Sequence, residues 1–367
     1  MRHFYWIVFL GILLGSSGEV QAQVGSAGRS ISKIKIQHRL EETYLQACKA
    51  QERYPISFWS GPTKGFSNSG YSLAGDIYKP YASSSEQMAD YFLIRNNILM
   101  KRWMPVLHEQ ARTVRSRLGE FYQSREIISV PEGEEVSWLA TQIPSETKYL
   151  LMGEVHLPEI AQAVEKFAPL LREKYPQREI IWFTEFISEK GEIRKQRYTE
   201  VKEAVEKAGM EIVGLEPAFV EENLQNFFIY RQKLPDDTFY REKEDNMWAS
   251  LEGVRLRNQY WVDTLNRYRQ QHPDALFVVY AGSGHLEYTV PYSLGKRLPK
   301  EETFTVVFYP DHIWDIDLGQ DTISTSPFDD VTFGKFALEQ ILRFNSKELS
   351  RLAGFDVQIK IPLAGEE

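Results

Sequence analysis

The chain has 367 residues, of which 43% are hydrophobic, and a formal net charge of −8. That is ample apolar content for a buried core, and the acidic balance leaves no basic stripe to release counterions from a phosphate backbone, so the sequence predicts a globular protein without a nucleic-acid partner. Cysteine occurs once, at Cys48, which excludes an intramolecular disulfide; Leu40, Tyr44 and Cys48 share a helical face, so the thiol reads as a small buried apolar group.

In chain order, residues 1–22 read as a signal peptide. Arg2 supplies the positive start, Phe4 to Leu14 is an apolar run shorter than a membrane span, and Val20-Gln21-Ala22 is a small-residue cleavage site before Gln23. Export to the periplasm or the outside of the cell is expected, and no later run is apolar over a spanning length, so no transmembrane span is expected in the mature chain. Residues 23–130 read as a helical N-terminal region. It comprises a flexible leader, a helix over 38–54, an ordered loop over 55–85 that buries Phe58, Trp59, Phe66 and Tyr71, and a second helix from Ser85. That helix places Met88, Phe92, Leu99 and Trp103 on one face until Pro105 interrupts or kinks it.

From residue 131 to 367 the pattern becomes α/β. Strands are predicted over 149–156, 179–186, 211–217, 275–281, 303–309 and 356–361. Helices are predicted over 158–175, 193–208 and 223–232, in a long stretch ending at Gln271, and over 334–352. Continuous apolar strands alternating with helices predict a mostly parallel sheet of about six strands with helices on both faces.

In such a sheet, ligands bind beyond the carboxyl ends of the strands. That rule selects His156 after the first strand, Glu185 in the second, Glu216 in the third and His285 after the fourth. Four imidazole and carboxylate groups from four successive strand ends form the candidate site. Glu154, between Gly153 and His156, is placed either to orient that histidine or to pair with an arginine. Gly282-Ser283-Gly284 lacks the third glycine of a dinucleotide fingerprint and the spacing of a nucleophile elbow; its glycines instead permit close backbone approach, so that His285 can enter the cleft.

Gly153-Glu154-Val155-His156 and Gly282-Ser283-Gly284-His285, with Glu185 and Glu216 between them, resemble the paired Gly-x-x-His motifs of the TraB/Tiki, ChaN and erythromycin-esterase-like superfamily. The stretch Val290-Pro291-Tyr292-Ser293-Leu294-Gly295-Lys296-Arg297-Leu298 is most similar to its ChaN-like haem-uptake branch. Relatives carry an Arg-Asp or Arg-Asn pair before the second motif; here the region reads Arg241-Glu242-Lys243-Glu244-Asp245-Asn246, so either Lys243-Glu244 replaces the pair or Asn246 keeps half of it, with Arg241 the alternative cation for the cleft. The resemblance implies three chemistries. His156, Glu185, Glu216 and His285 could hold a divalent metal (zinc, manganese or iron) that activates water. Without a metal, His156 oriented by Glu185 could act as general base. In either case a small-molecule or peptide ester or amide would be hydrolysed. The alternative is a haem- or iron-binding protein of the cell envelope, with His285, Tyr280 and Tyr288 as axial donors.

Overall fold

The computed structural model describes residues 85–193, 196–218, 220, 224–234, 247–248, 250–310 and 341–361. The expected signal peptide, Cys48, the 38–54 helix, the aromatic loop, Arg241 and Asn246 lie outside the described residues. The described residues divide into two units. One comprises Val106–Glu216 and the chain from Thr264 onward; the other comprises 85–105 and Pro217–Asp263.

In the first unit, eight strands among the described residues form one mixed sheet in the order β1-β7-β8-β6-β2-β5-β3-β4. They are β1 (Arg125–Ile128), β2 (Tyr149–Glu154), β3 (Ile180–Ser188), β4 (Glu211–Glu216), β5 (Leu276–Gly282), β6 (Thr303–Pro310), β7 (Ile341–Phe344) and β8 (Val357–Ile361). The run β8-β6-β2-β5-β3-β4 is parallel throughout, and its members are the six strands that the apolar runs predict. β7 is antiparallel to both β8 and β1, so the sheet has eight strands rather than six and a mixed edge.

Two differences from the sequence reading lie at that edge. Residues 341–344, placed in a helix by their periodicity, are strand β7, and the helix proper is α9 (Lys347–Ala353), closed by Gly354 at φ 107. Residues 125–128, placed in the N-terminal helical region, are strand β1. Further along, the 193–208 helix begins late: a 3-10 turn over Gln196–Tyr198 leads into α5 (Thr199–Lys207), while Ile193 makes a bridge back to Ile187.

The pleat sorts the sheet residues by parity. Leu150, Met152, Trp182, Leu276, Val278 and Tyr280 face a core shared with α4 (Pro158–Lys174) and α5, which supply Ile160, Val164, Phe167, Leu171, Val201 and Val205. The opposite parity, Tyr149, Phe183 and Phe277, forms an edge-to-face aromatic cluster. On it lie Tyr268, whose ring centroid is 5.1 Å from that of Phe183, and Arg269, 3.8 Å above the Phe277 ring, both from the C-terminal part of α7 (Leu251–Gln271). Helices therefore cover both faces. Each fully buried side chain of this size contributes roughly 1.5–3 kcal/mol, so covering both faces is what lets strands without polar alternation form a stable sheet. Short helices α2 (Leu118–Ser124), α3 (Glu135–Gln142) and α8 (Leu294–Arg297) complete this unit.

In the second unit, Ala89, Phe92, Asn96 and Leu99 repeat at helical spacing along α1 (Ser85–Ser116) and are buried. Phe92 packs edge-to-face on Tyr230 of α6 (Leu224–Lys233) and on Trp248. Asn96 Oδ1 accepts the Leu251 N–H at 2.9 Å, satisfying an amide in the first turn of α7. Glu252 is fully buried between Arg95 and a bidentate Arg255. Pro105 does not end α1, which continues to Ser116. Among the described residues no helix is long and apolar enough to cross a membrane.

Candidate functional site

The carboxyl ends of β2, β5 and β3, neighbours at the centre of the sheet, bring the two histidine motifs together. Gly153 and Gly282 make this possible reciprocally. A Cβ at Gly153 would lie 2.9 Å from Ser283 Cα, and a Cβ at Gly282 would lie 3.1 Å from both Cε1 and Nε2 of His156 and 3.6 Å from Glu185 Oε2. Each glycine of one motif is thus the floor on which the other rests. His156 Nε2 and Glu185 Oε2 both border the space above Gly282.

His156 leaves β2 with φ 65, a left-handed conformation that costs a non-glycine residue of the order of 1 kcal/mol. Its surroundings hold it there. Nδ1 lies 3.1 Å from Glu154 Oε1, and the imidazole meets the Phe186 ring edge-to-face at 5.6 Å. The orienting carboxylate is therefore Glu154, not Glu185.

Glu154 is fully buried. Oε1 also accepts the Tyr198 hydroxyl at 2.5 Å, and Oε2 accepts the Tyr280 hydroxyl at 2.6 Å. Burial, reinforced by the adjacent Glu154 charge, raises both phenol pKa values well above the ordinary range, so both tyrosines remain neutral donors. With two phenols donating to its carboxylate, Glu154 is directed to take a proton-bearing Nδ1, which leaves the lone pair of His156 on Nε2.

Glu185 and Phe186 reach the site through an irregularity in β3. Thr184 pairs with Gly214 of β4, but the next pair is Ser188 with Glu216, so β3 carries extra residues between them. This bulge turns Glu185 toward β5, where Oε2 accepts the Gly282 N–H at 2.9 Å and lies 3.8 Å from Nε2 of the buried His285. Phe186 stacks on Tyr198 with ring centroids 3.7 Å apart and planes 4° from parallel.

Of the predicted residues, His156, Glu185 and His285 converge, with Glu154 behind them. Glu216 is buried at the end of β4 opposite Ser188, and its carbonyl accepts the Glu189 N–H; it supports the bulge. Tyr288 is buried and donates to Asp356 Oδ2 at 2.6 Å. Tyr198 and Phe186 had no motif to announce them. Apolar runs and strand ends identify neither a tyrosine in a 3-10 turn nor a phenylalanine in a bulge.

Among the described residues, no three His, Cys, Asp or Glu side chains are grouped so as to hold a metal ion. Glu185 Oε2 is engaged by the Gly282 amide, and Glu216 stands at the end of β4, paired with Ser188. What the arrangement can do is accept a proton at His156 Nε2, stabilise the resulting imidazolium through Glu154, and present a second imidazole at Glu185.

No family model and no curated protein matches the chain. Among solved structures, that of the type III effector HopBA1 is similar with a TM-score of 0.36 and 11% identity, over 65% of this chain and 98% of that one.

Proposed function

We propose that the chain is a hydrolase of an ester or amide in which His156, held by Glu154, is the general base. The observation that carries this is the three-donor arrangement around Glu154, with Tyr198, Tyr280 and His156 Nδ1 on one buried carboxylate. A buried carboxylate behind an imidazole serves to fix its tautomer and to stabilise the imidazolium. Water placed at Nε2 loses its proton there as it attacks the carbonyl. The His156 imidazolium then returns that proton to the leaving group, while the buried His285 stands beside Glu185. Base catalysis of this kind contributes roughly 10²–10⁴-fold. The paired Gly-x-x-His resemblance points to the same reaction class, in an exported protein from which residues 1–22 are removed.

Neither cofactor expectation is favoured by the residues as placed. A metal would require His156, Glu185, Glu216 and His285 to regroup. Haem would require a tyrosine oxygen or His285, but the Tyr280 and Tyr288 hydroxyls are engaged by Glu154 and Asp356, and His285 is fully buried.

Chelator-treated full-length protein, assayed on a panel of para-nitrophenyl esters and anilides, should turn over at least one substrate, and His156→Ala should reduce kcat/KM by about 10²-fold or more. Absence of turnover on every substrate, or an unaffected variant, would dispose of the proposal. Activity lost on chelation and restored by zinc, manganese or iron would replace it with a metal-dependent mechanism.

A further inference from the structure

The site holds a cation that the base chemistry does not use. Arg197 precedes Tyr198 in the 3-10 turn, with its guanidinium carbon 5.1 Å from the Tyr198 ring centroid. Its side chain hydrogen-bonds the Tyr198 hydroxyl, and its positive charge also acts on that of Tyr280; both phenols donate to Glu154. Yet Glu154 is not its partner, because that carboxylate is occupied by two phenols and an imidazole. The buried Arg197 Nε has no hydrogen-bond partner. Among other arginines of this unit, Arg117, Arg343 and Arg351 pair with Glu120, Glu126 and Glu301, and Arg172, Arg178 and Arg269 donate to backbone carbonyls.

A guanidinium that is stacked on a tyrosine and lacks a protein carboxylate is preorganised for an external one. Its planar fork matches a carboxylate with two parallel N–H donors, which a compact ammonium cannot reproduce. Tyr198 also stacks on Phe186, which in turn packs on His156. Arg197 and His156 thus flank one stacked aromatic pair.

We infer that Arg197 is the specificity-determining residue of the site and that the substrate is an ester or amide bearing a free carboxylate, which Arg197 grips while the carbonyl faces His156. The inference rests on the hydrolase proposal for its reaction but not for its binding step. The carboxylate is recognised and not consumed; the bond that breaks is the ester or amide elsewhere on the same molecule.

Two measurements on the full-length chain separate the two ideas. The first compares kcat/KM for mono-para-nitrophenyl adipate with that for para-nitrophenyl hexanoate, its uncharged counterpart. Wild type should prefer the charged ester by about tenfold or more, Arg197→Gln should bring the ratio near unity, and Arg197→Lys should retain part of the preference. The second is calorimetric titration with adipate, where Arg197→Gln should weaken binding by about tenfold or more, and Arg351→Gln, which removes a surface ion pair, should not. If neither ester is hydrolysed, the hydrolase proposal fails while the adipate titration still decides the role of Arg197. If Arg197→Gln leaves both the ester ratio and the adipate affinity as in wild type, the inference is overturned.

Discussion

Glu154 is a buried carboxylate that accepts hydrogen bonds from Tyr198, Tyr280 and His156, and removing one donor should be felt twice. Tyr280→Phe leaves Oε2 without its phenol in a fully buried position, a loss of about 1–3 kcal/mol, to be measured as a lower urea midpoint with an unchanged slope. The same variant should slow turnover, because the carboxylate that orients His156 is no longer held. Gly282→Ala separates orientation from stability. The new methyl would come within 3.1 Å of the His156 imidazole edge, and a displacement of a few tenths of an ångström should cut kcat roughly tenfold, with stability changed by less than about 1 kcal/mol. A variant that loses activity only in proportion to its unfolding would contradict this. At the residue scale the sequence made His156, Glu185 and His285 visible, because such groups recur at successive strand ends, where a parallel sheet binds its ligands. It hid Tyr198 and Phe186, whose roles depend on contacts across the sheet. It also left two uses open for Glu154, since only the fold decides which donor a carboxylate meets.

The element that makes the site is the bulge of β3. Gly214 of β4 lies directly against it, and any Cβ there would overlap the Ser188 carbonyl. Gly214→Ala must therefore open the β3–β4 pairing or straighten the bulge. Overpacking against backbone costs about 1–3 kcal/mol or more, and the expected outcome is that much destabilisation in urea together with loss of turnover, since Glu185 is aimed by the same bulge. Retention of full activity would mean that the bulge does not position Glu185. The central parallel strands were legible because burial on both faces writes them as nearly continuous apolar runs, such as Leu276–Gly282, which is buried throughout. β7 was not: Ile341, Leu342 and Phe344 also fit a helical spacing, and only pairing with β1 and β8 makes them a strand. β1 is too short and too evenly half-buried to show alternation. Pro105, expected to interrupt or kink its helix, does not end it, since α1 runs on to Ser116.

For the molecule as a whole, the turn that carries His285 links folding to pH. Glu287 is buried beside the Ser283 and Tyr309 hydroxyls, and burial lifts its carboxyl from 4.5 to about 7 despite those two hydrogen bonds. Between those values the folded state holds a proton that the unfolded state has lost, so stability should fall as pH rises through this window. The total is about 3 kcal/mol, fully expressed above about pH 7. Glu287→Gln should remove that slope in urea unfolding measured from about pH 5 to 8; an identical slope in the variant would show that another group is responsible. The central claim concerns the proton on His156, and the most direct test is a long-range proton–nitrogen spectrum of the full-length chain with nitrogen-labelled histidine at mildly alkaline pH. His156 should carry its proton on Nδ1 with Nε2 bare, and Glu154→Gln should erase that preference. A His156 protonated on Nε2, or a tautomer mixture unchanged by Glu154→Gln, would contradict the account.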